Sequence, residues 1–266
     1  MNWIRLLKDI PLRFNEERSD QLTHGHPDGY RRIYLSSHLG IICPPHWLVI
    51  GIWKFHVFSR KGRTEFLQFL DLAEGCTRLL DLGASAGIFS AFFATSRKHS
   101  EIVSVEPDLP SFDLLAETIE ANKRAGGSWK RERIVIGDRN GSIRFSSSGL
   151  GGNVVPADQA GEDLPMETLA TLCERLQFVP EIIKVDVESF EYEALAGSLD
   201  WLKKTRPRLK LELHWNLLLQ RGKDPAAFLR LLESAGLKLA HGGGLSRITA
   251  RHLERDGCVR LALDWK

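Results

Sequence analysis

The sequence predicts an α/β fold with a seven-stranded, mostly parallel sheet whose last strand runs antiparallel, preceded by an N-terminal cap over residues 1–60. Three observations lead there. The apolar run Leu79-Leu80-Asp81-Leu82 breaks into Gly83-Ala84-Ser85-Ala86-Gly87 and resumes with helical spacing from Ile88, which reads as strand, tight loop and helix. Further apolar runs at 101–105, 133–136, 182–188 and 208–214 alternate with helix-spaced segments, the pattern of strands joined by crossover helices. Two alternating stretches, 236–240 and 258–263, read as a C-terminal hairpin.

Composition bounds the function classes. A chain of 266 residues, 43% hydrophobic and 26% charged, is large enough for a substantial core. Its 36 basic and 34 acidic residues leave a formal charge of +2, too little for a broad field that would draw nucleic acid or anionic lipid. Cys43, Cys76, Cys173 and Cys258 are widely spaced and form no C-x-x-C pair, so reduced thiols of a cytoplasmic protein are the expectation. Residues 1–11 read as a short amphipathic helix, too charged for a signal peptide. The apolar stretch 39–53 is interrupted by Pro44-Pro45 and falls short of the roughly 20 residues of a spanning helix. Its aromatic residues Trp47, Trp53, Phe55 and Phe58 are expected to pack on a core.

Along the chain, residues 62–73 form an apolar-faced helix that Gly75 ends before the first strand. Gly83 and Gly87 let the loop turn sharply and approach a ligand, and the following helix offers unpaired N–H groups at its start. Glu106 ends the next strand, 23 residues after Gly83, where a carboxylate can accept hydrogen bonds from a ribose diol. A helix over 110–125 follows, then the third strand at 133–136 and Gly137-Asp138. Asp138 is placed either to meet an adenine amino group or to make an ordinary turn before Arg139-Asn140-Gly141. Residues 143–145 read as an edge strand, 146–153 as a loop able to close over a site, and 166–176 as a helix. In the fourth strand Lys184, Asp186 and Glu188 fall on one face, and burying three ions is costly unless they pair or serve a site. His214 ends the fifth strand, and its near-neutral intrinsic pKa suits a general base.

These pieces together resemble the FkbM family of S-adenosylmethionine-dependent O-methyltransferases. The resemblance is carried by Leu80-Asp81-Leu82-Gly83-Ala84-Ser85-Ala86-Gly87, Val105-Glu106-Pro107-Asp108, Gly137-Asp138-Arg139-Asn140-Gly141, Ile183-Lys184-Val185-Asp186-Val187-Glu188-Ser189-Phe190-Glu191, Ala196-Gly197 and Glu212-Leu213-His214, over residues 62–240. The family commonly has Asn where Ser85 stands and Gly where Ser189 stands. The resemblance implies the Rossmann-like class I methyltransferase fold for residues 61–266, and methyl transfer from S-adenosylmethionine to a hydroxyl of a small molecule or sugar. Asp81, Gly83, Ser85 and Gly87 would then hold the amino-acid part of the cofactor, Glu106 its ribose and Asp138 its adenine.

Neighbouring strand ends lie about 5 Å apart, so His214, Asp186 and Glu188 can converge beside the transferred methyl, with Lys184 completing the charged set. His214 is the expected general base, with Asp186 or Glu188 orienting it or gripping the acceptor. The same two carboxylates and imidazole could equally bind a divalent metal. Two other functions share parts of the pattern. An NAD(P)-dependent oxidoreductase also uses a glycine loop and a distal acid, but residues 83–87 read G-x-x-x-G rather than G-x-G-x-x-G. A non-catalytic binding protein that kept the methyltransferase fold is the second alternative. No motif identifies the acceptor or an oligomeric state.

Overall fold

The computed structural model describes residues 24–25, 30–36, 39–149, 151–254 and 256–266; the helix expected over 1–11 lies outside them. The described chain starts with a small antiparallel sheet of β1 (His24–Gly25), β2 (Arg31–Ser36) and β3 (Leu39–Cys43). Pro44-Pro45 stops β3, and two helices follow, α1 (Trp47–Phe58) and α2 (Arg60–Leu72), the second capped by Ser59, whose hydroxyl accepts the Gly62 N–H at 3.0 Å. Trp53 and Val57 of α1 are buried beside Phe66 and Phe69 of α2 and Phe58 packs partly buried on the same core; the side chains of Trp47 and Phe55 lie outside those described. No helix among the described residues is long and apolar enough to cross a membrane.

The main sheet and its connections follow. In chain order they are β4 (Arg78–Leu82), α3 (Ile88–Thr95), β5 (Glu101–Val105), α4 (Leu109–Asn122) and β6 (Ser128–Glu132). An inserted stretch holds β7 (Val135–Ile136), β8 (Gly141–Ser147), β9 (Gly152–Val154) and β10 (Glu162–Glu167). Then come α5 (Leu169–Leu176), β11 (Ile182–Val185), α6 (Glu191–Ala196), α7 (Leu199–Thr205), β12 (Arg208–Leu213), α8 (Trp215–Gln220), α9 (Pro225–Ser234), β13 (Leu237–Leu239) and β14 (Val259–Trp265).

Seven strands form the sheet in the order β13-β14-β12-β11-β4-β5-β6. It is a mixed sheet: β6, β5, β4, β11 and β12 pair in parallel in that order, and β14, reversed, pairs antiparallel with both β12 and β13. Three expectations are corrected here. The third strand of the sheet is β6, not 133–136; Val135 and Ile136 pair with Met166 and Glu167 of β10 in a separate four-stranded sheet. The stretch 146–153, read as a loop, contributes to β8 and β9 of that sheet. The fourth strand also stops at Val185, so Asp186 and Glu188 stand beyond it in a turn.

Register explains why one sheet face is apolar and the other carries charge. Leu82, Val185, Leu211 and Leu261 lie side by side across β4, β11, β12 and β14, all on the face packed by the C-terminal helices. One residue away, where side chains point oppositely, Ser104, Asp81, Lys184 and Lys210 form a lateral polar row, followed further along by Glu212 opposite Arg260. Phe89, Phe92 and Phe93 of α3 and Phe66 and Phe69 of α2 cover most of that second face. Each such buried side chain contributes about 1.5 to 3 kcal/mol. The apolar cover leaves the charged row in low dielectric at the carboxyl ends of the strands, where ligands bind in open α/β sheets.

Candidate functional site

The glycine loop is built around close approaches. Gly83 and Ala84 donate to the Val105 carbonyl at 2.9 and 3.0 Å, closing the loop over the end of β5. Gly83 has φ +69°, and a Cβ there would stand 1.7 Å from the Asp186 carbonyl oxygen. Glycine is therefore required by two constraints at once, conformation and space. Gly87, at φ +85°, caps α3 without a side chain and leaves the helix N-terminus open. Ser85 also takes a left-handed conformation (φ +49°), a region where Asn is better tolerated than Ser.

Glu106 sits beside this loop, almost fully buried. Its Oε2 accepts the Ser85 N–H at 2.7 Å and its Oε1 the Asp108 N–H at 2.9 Å. Burial pushes its carboxyl up to about 7, against the lowering effect of those two backbone bonds. Each oxygen keeps lone-pair capacity for a further donor. Asp81 is placed differently from expectation: it is fully buried under the loop, accepting the Ser90 hydroxyl at 2.6 Å, with Lys184 Nζ 3.7 Å from its other oxygen. Its carboxylate supports the loop from below.

Lys184 joins the loop to the acid cluster. Its ammonium donates to the Gly83 carbonyl at 2.8 Å and lies 3.1 Å from Asp186 Oδ2. Burial works against this charge, but Asp186 and Asp81 outweigh it and hold Lys184 protonated above its ordinary range. Asp186 is raised by burial and lowered more by Lys184 and His214, so it stays ionised below the usual carboxylate value.

The structure brings His214, Asp186 and Glu188 together. His214 Nε2 lies 3.4 Å from Glu188 Oε2 and 3.8 Å from Asp186 Oδ1, while Nδ1 is 2.7 Å from Glu191 Oε1. Burial pulls the imidazolium down, yet contacts with Cys258 and Glu191 and the charge of Asp186 override it and push His214 up to about 12. Glu188 is raised, mainly by burial, with His214 opposing. Asp138, by contrast, follows β7 with its carboxylate half exposed and paired with Arg139 at 3.1 Å; a Cβ on Gly197 would stand 2.3 Å from the Asp138 Cα.

Residues 81–239 match the description of the methyltransferase FkbM domain, more than half of the chain. The chain belongs to the FkbM methyltransferase family. Among curated proteins it is similar to the hexuronic acid methyltransferase AglP of Haloferax volcanii, 26% identical over 190 residues that span 70% of this chain and 73% of that protein. Among solved structures it is similar to the methyltransferase FkbM of Methylobacillus flagellatus KT, 19% identical with a TM-score of 0.40, covering 56% of this chain but only 38% of that one. It is also similar to TYW2 of M. jannaschii solved with AdoMet, 11% identical with a TM-score of 0.43 over 91% of this chain and 87% of that one.

The two departures from the FkbM pattern now have a physical meaning. Ser189 has φ +82° and Glu188 φ +47°, so a non-glycine residue occupies a left-handed position that glycine adopts freely, at about 1 to 2 kcal/mol. Backbone strain of this kind clusters at functional sites. Two further residues stand near the site outside the expected set, although Glu191 lies within the 183–191 run that carries the resemblance. Glu191 is fully buried against His214. His56, near the end of α1, feels the charges of Glu65, Arg260, Asp186 and Lys184, which puts the cap beside the acid cluster.

Proposed function

We propose that this FkbM protein is an S-adenosylmethionine-dependent O-methyltransferase acting on a hydroxyl of a sugar or other small molecule. The observation that carries the reading is Lys184, one buried ammonium bonded to the glycine loop at Gly83 and paired with Asp186, so that cofactor loop and acid cluster form one unit. The hexuronic acid methyltransferase AglP supports a sugar acceptor. The cofactor, when bound, supplies an electrophilic methyl group. Residues 83–87 fit its amino-acid part, because Gly87 leaves the α3 N-terminus without a side-chain cap and its first N–H groups open to a polar group. Glu106 fits the ribose, and Asp138, at the end of β7, the adenine. The G-x-x-x-G loop argues against a dinucleotide, and the Ser85 N–H is already taken by Glu106 rather than free for a pyrophosphate.

Within this reading the chain's own residues align the acceptor oxygen and receive its proton. His214 is cationic near neutral pH, which makes it a poor resting base despite the expectation from its residue type. We assign the proton to a carboxylate at its Nε2 edge. Glu188, half exposed and raised by burial, is the more basic; Asp186, held ionised by Lys184, grips the hydroxyl. His214 orients both. The pH dependence separates the two assignments. A carboxylate base gives kcat/KM that climbs from acid pH and levels off once the carboxylate is ionised, whereas an imidazole base with its pKa pushed up to about 12 gives a rate still rising tenfold per unit at pH 9. The profile with a working acceptor is expected to level.

The ligand atoms of Asp186, Glu188 and His214 lie within 4.8 Å of one another, as do those of Glu212, His214 and Cys258. Charge is against a resident ion in either set: Lys184 stands 3.1 Å from Asp186, and Arg260 is hydrogen-bonded to Glu212. Turnover is therefore expected to survive EDTA treatment. A loss that added divalent ion restores contradicts this.

Glu106 provides a test on binding alone. Glu106→Ala should weaken S-adenosylmethionine by about 1.5 to 3 kcal/mol, the range for hydrogen bonds to a charged group. In the unmutated protein affinity should tighten as pH rises through about 7, since the ionised carboxylate is the better acceptor. Calorimetry at several pH values reads both, and unchanged affinity in the variant removes Glu106 from the ribose site. The function itself is tested by incubating the protein with labelled S-adenosylmethionine and hexuronic acids or their glycosides. Label recovered on an ether oxygen supports it; label on nitrogen or carbon overturns the O-specific assignment.

A further inference from the structure

We propose that Glu191 is the positioning residue of the transfer site, fixing at once the ring of His214 and the strained Glu188–Ser189 turn. The inference rests on the function proposed above but extends it to a residue outside the expected catalytic set. Glu191 opens α6 and is fully buried. One of its oxygens does two jobs: Oε1 accepts the Ser189 N–H at 3.0 Å and faces His214 Nδ1 at 2.7 Å. The other, Oε2, is buried and accepts no hydrogen bond among the described residues. A half-satisfied buried carboxylate is a net cost in a purely structural role, since an amide or apolar residue would fill the same space at lower desolvation.

The position of Oε1 accounts for two features of the site. With Nδ1–H committed to Glu191, only Nε2 is left to face Glu188 and Asp186, so the ring cannot flip without losing a charge-assisted bond. Glu188 and Ser189 both have positive φ, and their turn is tied to that same oxygen through the Ser189 amide. Glu191 thereby sets the distance between the imidazole and the carboxylate assigned to take the proton. His214 is faced by Glu191 from α6, by Asp186 and Glu188 from the turn after β11, by Glu212 from its own strand, and by Cys258 ahead of β14. Of these only Glu191 is fully buried and meets Nδ1 at hydrogen-bond distance.

The test reads the ring itself. In the full-length protein with 15N-labelled histidine, His214, assigned by comparison with His214→Gln, should keep Nδ1 protonated from pH 6 to 9. In Glu191→Gln, which is near-isosteric but uncharged, the ring should titrate within that range. Glu191→Gln should also lower kcat at least tenfold while the Kd for S-adenosylmethionine changes less than twofold, and Glu191→Asp should recover part of the loss. A His214 ring with unprotonated Nδ1 in the unmutated protein overturns the proposal even if Glu191→Gln does not fold. So does a variant whose ring and kcat are both unchanged. The nitrogen spectra need neither cofactor nor acceptor, so a protein that fails to bind S-adenosylmethionine defeats the function above and leaves this result readable.

Discussion

Replacing Gly83 by alanine is expected to lower turnover by about a hundredfold or more, the scale associated with displacing a reacting group by an ångström. The added methyl would stand 1.7 Å from the Asp186 carbonyl oxygen, so either the loop or the turn after β11 has to move. A left-handed backbone at φ +69° adds about 1 to 2 kcal/mol for any residue with a Cβ. Both displaced segments carry function in the proposed mechanism, the loop holding cofactor and Asp186 the acceptor. Affinity for S-adenosylmethionine and kcat should therefore fall together. Calorimetry and a steady-state assay on the same preparation check this, and a variant with near-normal values in both would mean that the two segments do not meet as described.

The second large effect is on stability. Lys184→Met keeps most of the side-chain volume but removes a cation that lies near both Asp81 and Asp186. Stranding the buried Asp81 and the partly buried Asp186 costs about 3 to 5 kcal/mol, which lowers the Tm by roughly 6 to 20 °C in a domain of this size. The sign of the pH dependence follows. With the ammonium gone, both carboxylates have raised pKa values in the folded state, so the variant is destabilised most where they must ionise and least where they can stay protonated. The Tm gap to the unmutated protein should narrow as pH is lowered toward 5. A gap below about 2 °C at pH 7.5 would show that Lys184 is not what neutralises this row.

How much of this was legible in the sequence depended on whether the signal was local. The glycine loop was, because strand, small residues and helix follow one another within 79–94 and the glycines are there for backbone reasons. Glu106 and His214 were too, as polar residues at the ends of apolar strands. The convergence of Asp186, Glu188 and His214 followed from adjacent strands, although Asp186 and Glu188 lie in a turn past β11 rather than on a shared strand face. What failed was non-local. Ser128–Glu132 is a polar edge strand with β5 as its neighbour in the sheet, so it has no apolar run to announce it. The apolar 134–136 drew the assignment instead, because burial in the second, four-stranded sheet gives the same pattern as burial in the first.

Charge state was the least legible property. From residue type alone His214 is a base near neutrality; its real setting depends on Glu191, Asp186 and Cys258, which come from three other segments. The family resemblance assigns Asp81 to the amino-acid part of the cofactor, whereas register puts its side chain in the buried row with Ser104 and Lys184. Residues 47–58 gave no functional motif, but the α1 helix they form brings His56 to the edge of the acid cluster.

The central claim is that S-adenosylmethionine binds on the 83–87 loop with its ribose at Glu106. Isothermal titration calorimetry of the full-length protein with S-adenosylmethionine, and separately with NADH, tests it most directly. The account predicts one saturable site for S-adenosylmethionine, weakened in Glu106→Ala and in Gly83→Ala, and no heat with NADH. Saturable binding of NADH with none of S-adenosylmethionine would point to an oxidoreductase, binding of neither to a protein that kept the fold without its chemistry, and either result would contradict the account.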